Sequence, residues 1–150
     1  MATRPPIPNP RRRVVAVVAA LLAGGCGGGP TAGVADLGEC PPLPAGITAP
    51  ADVEVPAGTV VTDVAHVDPL VQVTGLIDAT PVEVRDAYAD RADVVHVEDE
   101  GFEAEVLLST ATHRTYLRAQ ARCATGSVIT VVRAPEDAAG RLPVPGQVGG

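Results

Sequence analysis

The chain has 150 residues, and its 11 basic residues are outnumbered by 18 acidic ones, which gives a net charge of −7 at pH 7. A face that binds nucleic acid needs clustered cations, and single strands are read by stacked aromatic rings, yet the chain has only two tyrosines and one phenylalanine. The composition therefore argues against nucleic acid as a partner. The same sign of charge argues against electrostatic docking on anionic lipid headgroups.

The first 25 residues have the layout of an export signal. Three arginines at positions 11–13 form a basic flank, and an apolar stretch follows at 14–23. That stretch is too short to span a bilayer, which takes about 20 apolar residues. Small residues then lead to Cys26, which is followed by three glycines. We therefore predict a signal peptide over residues 1–25.

The sequence Leu22-Ala23-Gly24-Gly25-Cys26 resembles the cleavage region of bacterial lipoproteins, although that family usually has its leucine at the place of Ala23. The resemblance covers residues 1–26 and implies cleavage before Cys26 and a lipid on that cysteine. It also implies a location on the extracytoplasmic side of the cell membrane, where two or more acyl chains anchor stably. From Cys26 onward, seven arginines remain against 18 acids, a net charge of −11. The alternative is an exported soluble protein that is cleaved without lipidation.

The cysteine count agrees with export. Once Cys26 carries lipid, as the resemblance implies, Cys40 and Cys123 remain as an even pair. Such a pair outside the cytoplasm is normally a disulfide. Closing a loop of this length stabilises a fold by about 4 to 5 kcal/mol in the chain-entropy model. Two unpaired buried thiols are the alternative.

Composition divides the remaining chain into three parts. Residues 26–58 are rich in glycine, proline and alanine, which predicts a flexible tether that begins at the lipidated cysteine. Residues 59–133 can fold, as one small domain near the size at which a covalent staple helps. Residues 134–150 are again rich in proline and glycine, and they are predicted to form a disordered tail.

The clearest local prediction is a helix from Pro81 to about Arg91. Thr80 is a suitable N-cap, proline suits the first helical position, and Glu83 can reach back to the cap. The residues that share the apolar face are Val84, Ala87, Tyr88 and Ala92. One side of the helix is therefore expected to be buried against a sheet.

Alternating apolar and polar residues predict the strands of that sheet. Two long strands are expected over 102–108 and 115–123, with Phe102 and Tyr88 in the core and Tyr116 facing outward. The further predicted strands are 60–66, 70–77, 94–98 and 128–133. The predicted fold class is α+β, with one helix packed on a mostly antiparallel sheet and the order β-β-α-β-β-β-β.

A turn at 111–114 is expected to join the two long strands. This turn fixes the register, and it places Glu103 opposite Arg122 and Glu105 opposite Gln120. Opposite-sign and polar neighbours would then lie across the two strands, which favours the register by about 0.2 to 1 kcal/mol for each pair.

The densest charge cluster comprises Glu98, Asp99, Glu100, Glu103 and Glu105. Such a cluster is a candidate for a hard cation, since calcium takes six to eight oxygen ligands. The series of acids that defines an EF-hand loop is absent, and alternation places Glu103 and Glu105 on the outward side of a strand. We therefore favour a solvated surface, with cation binding as the alternative.

The sequence contains no recognisable catalytic or metal-binding set. His66, His96 and His113 lack short metal-binding spacings, so a zinc site would need them to converge in the fold. The only serines, Ser109 and Ser127, lie in no nucleophile motif. We therefore expect neither enzymatic activity nor a cofactor or metal.

Three hypotheses for function remain. The leading one is a lipid-anchored, non-enzymatic cell-envelope lipoprotein whose small domain binds a protein partner, since sheet edges can accept a strand. The second is a carrier of a lipid or small apolar ligand, which needs a cavity of about 300 Å³ or more. The third is an enzyme in which His66 or His96 converges with the acidic hairpin that carries the cluster from Glu98 to Glu105.

Overall fold

The computed structural model describes residues 33–143, which contain one antiparallel sheet of six strands and one α-helix. The fold is therefore α+β and mostly sheet. Its main elements are β1 (Val60–Val67), β2 (Leu70–Ile77), α1 (Pro81–Ala89), β3 (Val94–Asp99), β4 (Glu103–Ser109), β5 (His113–Cys123) and β6 (Gly126–Pro135). The predicted signal peptide, Cys26 and the end of the predicted tail at 144–150 lie outside the described residues.

The order of the strands in the sheet is β1-β2-β6-β5-β4-β3, which differs from their order along the chain. The last strand, β6, lies in the middle, because it pairs with β5 on one side and with β2 on the other. The helix connects β2 to β3, so the chain crosses from one half of the sheet to the other through α1. As a result, β1 and β3 are the two edges.

The capping residues of α1 form the predicted arrangement. The Thr80 hydroxyl accepts a hydrogen bond from the Glu83 backbone N–H at 3.3 Å, and the Glu83 carboxylate accepts one from the Thr80 backbone N–H at 2.7 Å. The bond from the Thr80 backbone N–H, and a 2.8 Å bond that the Thr80 hydroxyl donates to the same carboxylate, hold the pKa of Glu83 below its usual value. The helix ends at Ala89, somewhat before the predicted end at Arg91, and it buries Val84 and Tyr88 against the sheet.

One face of the sheet, here called the covered face, forms the main core. Its most deeply buried side chains are Val73, Val106, Leu117, Ala119, Ile129 and Val131. The cover consists of α1, which contacts β3, β4 and β5, and of residues 49–57, which supply the buried Val53. Burial of these apolar side chains is the main favourable contribution to folding.

Part of the segment that we expected to be a flexible tether packs on the sheet. The Ile47 backbone N–H donates to the Val61 carbonyl at 2.8 Å, which adds a short bridge to β1. Further along, Val53 is buried, and Asp52 forms a 3.1 Å ion pair with Arg133. Composition missed this packing, because a segment without regular secondary structure shows no apolar periodicity.

The start of the predicted disordered tail is also ordered. Strand β6 continues to Pro135, and a 3₁₀ helix, Glu136–Arg141, follows it. Leu142 is then buried on the opposite face of the sheet, in a small cluster with Leu107, Tyr116, Val132 and Ala134. A single leucine among prolines and glycines carries no periodic signal, so the sequence pattern could not reveal this contact.

The predicted register of the two long strands is wrong by two residues. Glu103 lies opposite Gln120, and Glu105 lies opposite Arg118. A shift of two preserves the side on which each residue lies, so Glu103 and Glu105 remain on the face opposite the helix. The ionic partner of this face is therefore Arg118 and not Arg122.

The cause of the shift is the turn between β4 and β5. It closes one residue earlier than expected, since the Thr110 backbone N–H donates to the His113 carbonyl at 2.9 Å. The Thr110 hydroxyl also accepts from the His113 backbone N–H at 3.2 Å. Side-chain bonds of this kind compete with the strand ladder and fix where it ends.

Phe102 is not in the core, in contrast to the prediction. It is 39% exposed and precedes β4, in a turn where Gly101 has a positive φ of 81°. The predicted strand began one residue too early, and alternation does not determine the direction of a side chain in a turn. Tyr88 is buried, as predicted.

Candidate functional site

The face of the sheet opposite the helix, here called the open face, carries a polar cluster on three adjacent strands. Its members are Glu98 of β3, Glu103 and Glu105 of β4, and Tyr116 and Arg118 of β5. The register aligns Glu98 with Glu105 and Glu105 with Arg118. Residues that pair directly across antiparallel strands share a face, so these side chains are neighbours.

Two hydrogen bonds organise this cluster. The Arg118 guanidinium donates to the Glu103 carboxylate, and the Tyr116 hydroxyl donates to the Glu105 carboxylate. Tyr116 lies on the side of the sheet opposite the helix, as predicted. It is nevertheless buried, because its ring packs in the cluster with Leu142 and its hydroxyl bonds to Glu105. Burial, and then the bond to Glu105, raises the pKa of Tyr116 above its ordinary value.

Glu105 is the most perturbed carboxyl of the cluster. Burial raises its pKa, the bond from Tyr116 opposes that shift, and the neighbouring charges of Glu103 and Glu98 raise it further. Its Oε2 atom is buried and has no hydrogen-bond partner among the described residues. Ionised Glu105 is therefore less stable in the fold than an exposed carboxylate would be.

The cluster has an excess of negative charge. Glu98, Glu100, Glu103 and Glu105 line a surface hollow of about 200 Å³, and Arg118 pairs with only one of them. Like charges directly across two strands destabilise a sheet, and Glu98 faces Glu105 in this way. Within the described residues, no group of three or more histidine, cysteine, aspartate or glutamate side chains has a geometry that could hold a metal ion.

Beside this cluster lies the free edge of β3. The Glu100 backbone N–H donates to the Glu103 carbonyl at 2.8 Å, so Glu100, and Glu98 two residues before it, direct their backbone groups toward β4. Val97 and Asp99, which alternate with Glu98 and Glu100 along the strand, therefore direct their backbone groups away from β4. No strand in the described part of the chain pairs with β3 on that side.

The other edge differs from β3. Strand β1 is bridged at Val61 by Ile47, so the start of this edge is covered. The rest of β1, from Asp63 onward, has no partner strand on its outer side among residues 33–143. Asp63 is its only acidic residue.

The three histidines do not converge. His66 lies on β1 and His96 on β3, and opposite edges of a six-stranded sheet are about 24 Å apart. His113 lies at the β4–β5 turn, where its Nδ1 is 3.0 Å from the Thr110 hydroxyl. Only His96 approaches the acidic hairpin, with its Nε2 3.4 Å from Glu98.

Ser127 has a structural role. It is fully buried, and its hydroxyl donates to the Ala79 carbonyl at 2.7 Å, which ties the start of β6 to the residue before the helix cap. Ser109 ends β4, opposite Arg114.

Cys40 and Cys123 form a disulfide with a Cα–Cα distance of 5.1 Å, which is consistent with the predicted pairing. Gly126 passes so close to the bond that an added Cβ would lie 2.9 Å from the Cys123 Sγ and 3.0 Å from the Cys40 Sγ. The Arg122 side chain donates to the Pro41 carbonyl at 2.7 Å, next to the disulfide. The segment that leads into the cover is therefore fixed to the end of β5.

An apolar groove of about 370 Å³ lies between α1 and residues 54–57. Val55, Ile77, Val84, Ala87 and Tyr88 are among its lining residues. At its rim, the Arg91 guanidinium lies 5.2 Å from the centre of the Tyr88 ring and forms ion pairs with Glu54 and Asp93. Burial raises the pKa of Tyr88 to about 12. Sequence patterns missed this groove, because one of its walls comes from the irregular cover.

No known protein family, no curated protein and no solved structure matches this chain. Across residues 33–143, none of the helices has the length and apolar character needed to cross a bilayer.

Proposed function

We propose that this protein is a cell-envelope lipoprotein, held on the extracytoplasmic side of the membrane by lipid on Cys26, and that its folded domain binds a protein partner without catalysing a reaction. The observation that carries the binding role is the outer edge of β3, which pairs with no strand of residues 33–143 and lies beside the acidic cluster. An edge of this kind supplies backbone donors and acceptors, and the cluster supplies charge.

Two observations support the anchor. The leader has a basic flank, a short apolar stretch and a cysteine after small residues. The Cys40–Cys123 disulfide suits an oxidising compartment outside the cytoplasm. A net charge of −11 from Cys26 onward would also repel anionic headgroups, so a lipid rather than electrostatics must hold the protein at the membrane.

Replacement of the lipidated residue tests the anchor. We expect Cys26→Ser to release the protein from the membrane fraction, and the intact mass of the wild-type protein to show cleavage before Cys26 and the added acyl chains. Cys40→Ser is the matched control, because it removes a cysteine that is not lipidated, and it should stay with the membrane. Equal membrane attachment of the Cys26→Ser variant would reject the proposed anchor.

Crosslinking in intact cells tests the partner. We expect the wild-type lipoprotein to recover a specific protein after crosslinking, under conditions where a lipoprotein with an unrelated domain recovers none of it. Failure to recover any specific protein would count against the binding role.

The groove beside α1 favours a second candidate function, transport of a lipid or small apolar ligand. Its volume of about 370 Å³ exceeds the lower limit of about 300 Å³ for a ligand pocket. Native mass spectrometry of the protein from its own membranes would show a bound ligand, and a spectrum of unliganded protein alone would remove this candidate.

A further inference from the structure

We propose that the β3 edge binds a basic, extended segment of the partner protein, which adds to the sheet as a further strand next to β3. This inference rests on the proposed function, because it names the class of partner segment that the domain binds. Backbone pairing provides the attachment, and the glutamates of the open face select basic side chains.

The backbone of β3 is suited to strand addition. Val97 and Asp99 direct their N–H and C=O groups outward, and they follow the irregularity in register between Val94 and His96. Bulges and charged residues normally protect edge strands from unwanted pairing. Here the bulge lies at the beginning of β3, so the later part of the strand keeps a regular ladder with β4 and an accessible outer side.

The charges beside this edge differ between the two faces. On the covered face, Arg85 of the helix forms ion pairs with both Asp99 and Asp86, so Asp99 has a cationic partner there. On the open face, the Glu98 side chain is 43% exposed and is followed across the sheet by Glu105, and neither carboxylate has an arginine partner among the described residues. The negative charge at the edge is therefore concentrated on the open face.

This asymmetry defines the sequence pattern of the segment. Side chains of a strand alternate between the two faces of a sheet. Residues that project over Glu98 and Glu105 should be arginine or lysine. Those on the other side meet the apolar Val97 and Asp99, whose carboxylate is already paired with Arg85, so they should be apolar or small. The expected occupant alternates basic and apolar residues, in contrast to a uniformly basic peptide.

A synthetic probe tests the pattern. The probe is a fluorescein-labelled hexapeptide of alternating arginine and valine, added at low salt to the processed full-length protein and followed by fluorescence anisotropy. We expect saturable binding, and we expect the NMR amide signals of Val97 and Asp99 to shift and to become protected from hydrogen exchange. Two control peptides complete the set: one with N-methylated alternate amides, which cannot pair, and one with glutamate in place of arginine. Neither control should bind.

Matched variants locate the charge. Glu98→Gln combined with Glu105→Gln should weaken probe binding by about fivefold at low salt, because two charge interactions at a partly exposed surface are lost. Asp63→Asn is the control, since it removes an exposed acid from the other edge strand and should leave affinity unchanged. Glutamine keeps the shape of glutamate, and thermal unfolding verifies that both variants fold.

The inference is overturned if the probe does not bind, if the N-methylated peptide binds equally well, or if Asp63→Asn weakens binding as much as the double variant. It is also overturned if cells recover a partner whose crosslinking the double variant does not reduce, and in that case the proposed binding role stands. Absence of any crosslinked partner rejects the binding role itself, so the two failures are distinguishable.

Discussion

The covered face and the open face share the same six strands but bury their side chains by different means. On the covered face, Leu117 is 1% exposed and contacts other apolar side chains. On the open face, Tyr116, the next residue toward the N terminus, is also buried, yet its hydroxyl bonds to Glu105 beside Arg118 and Glu103. One face removes apolar surface from water, and the other arranges charge.

This difference between the faces predicts that substitutions on the two faces affect different properties. Full burial of a leucine contributes about 1.5 to 3 kcal/mol, whereas an exposed ion pair contributes about 0.2 to 1 kcal/mol. Substitutions on the covered face should therefore change the free energy of unfolding strongly and affect the choice of partner only indirectly. Substitutions on the open face should do the reverse.

The largest effect should come from loss of the disulfide that fixes the cover. Cys40→Ala combined with Cys123→Ala should lower the free energy of unfolding by about 4 to 5 kcal/mol, because the bond joins residues 83 positions apart. Denaturant unfolding measures the loss. Hydrogen exchange should increase first at the Val53 amide, which belongs to the cover. Cys26→Ser is the control and should leave the unfolding free energy unchanged, and equal stability of the double variant would contradict the prediction.

A cavity in the covered face should have the next largest effect. Leu117→Ala should cost about 3 kcal/mol, since the side chain lies in the centre of the sheet and the surrounding strands cannot collapse into the space. The matched control on the same strand is Gln120→Ala, an exposed residue of the open face, for which we expect a change below about 0.5 kcal/mol. Similar losses for the two variants would contradict the division between the faces.

A substitution at Leu142 tests whether the C-terminal segment covers part of the open face. Leu142→Ala should cost about 2 kcal/mol, because the side chain is buried against Tyr116 and Val132. A disordered tail predicts no change at all. Asp137→Ala in the preceding 3₁₀ helix is exposed and serves as the control. Chemical denaturation of both variants decides between a packed and a disordered C-terminal segment.

These tests also mark the limits of the sequence patterns. The helix was predictable because Thr80, Pro81 and Glu83 form a local capping signal, and the fold class was predictable because apolar alternation is repeated in several strands. Both signals are encoded in neighbouring residues.

Apart from the register, the features that sequence missed are non-local. The register depends on the bonds of Thr110 to His113, which close the β4–β5 turn one residue earlier than predicted. The contacts of Val53 and Leu142 depend on irregular segments that meet distant strands. The acidic cluster could be predicted from the sequence, since alternation placed Glu103 and Glu105 on one side of the sheet. The hydrogen bond from Tyr116 to Glu105 could not be predicted, because it depends on the correct register of β4 and β5.

The smallest effect, and the most specific to the open face, concerns Glu105. Its pKa is raised in the fold, so its contribution to stability is fully present below its ordinary pKa of 4.5 and is lost as pH rises through the raised value. Glutamine cannot ionise and keeps that contribution at neutral pH, and its carbonyl can still accept from Tyr116. Glu105→Gln should therefore raise the free energy of unfolding at pH 7 by about 0.5 kcal/mol, since it also removes the repulsion from Glu98.

The pH dependence distinguishes this mechanism from a change in packing. The free energy of unfolding of Glu105→Gln should exceed that of the wild type at pH 7. This difference should shrink as the pH falls and the wild-type carboxyl takes up its proton, and it should vanish below about pH 4.5. Gln120→Ala, on the same face, removes no ionisable group and should show no such trend. A loss of stability at pH 7 in Glu105→Gln would mean that the pairing of Glu105 with its neighbours outweighs its burial. The basic segment proposed to bind beside β3 would relieve this repulsion, because its cations would lie next to the carboxylates that repel each other in the free domain.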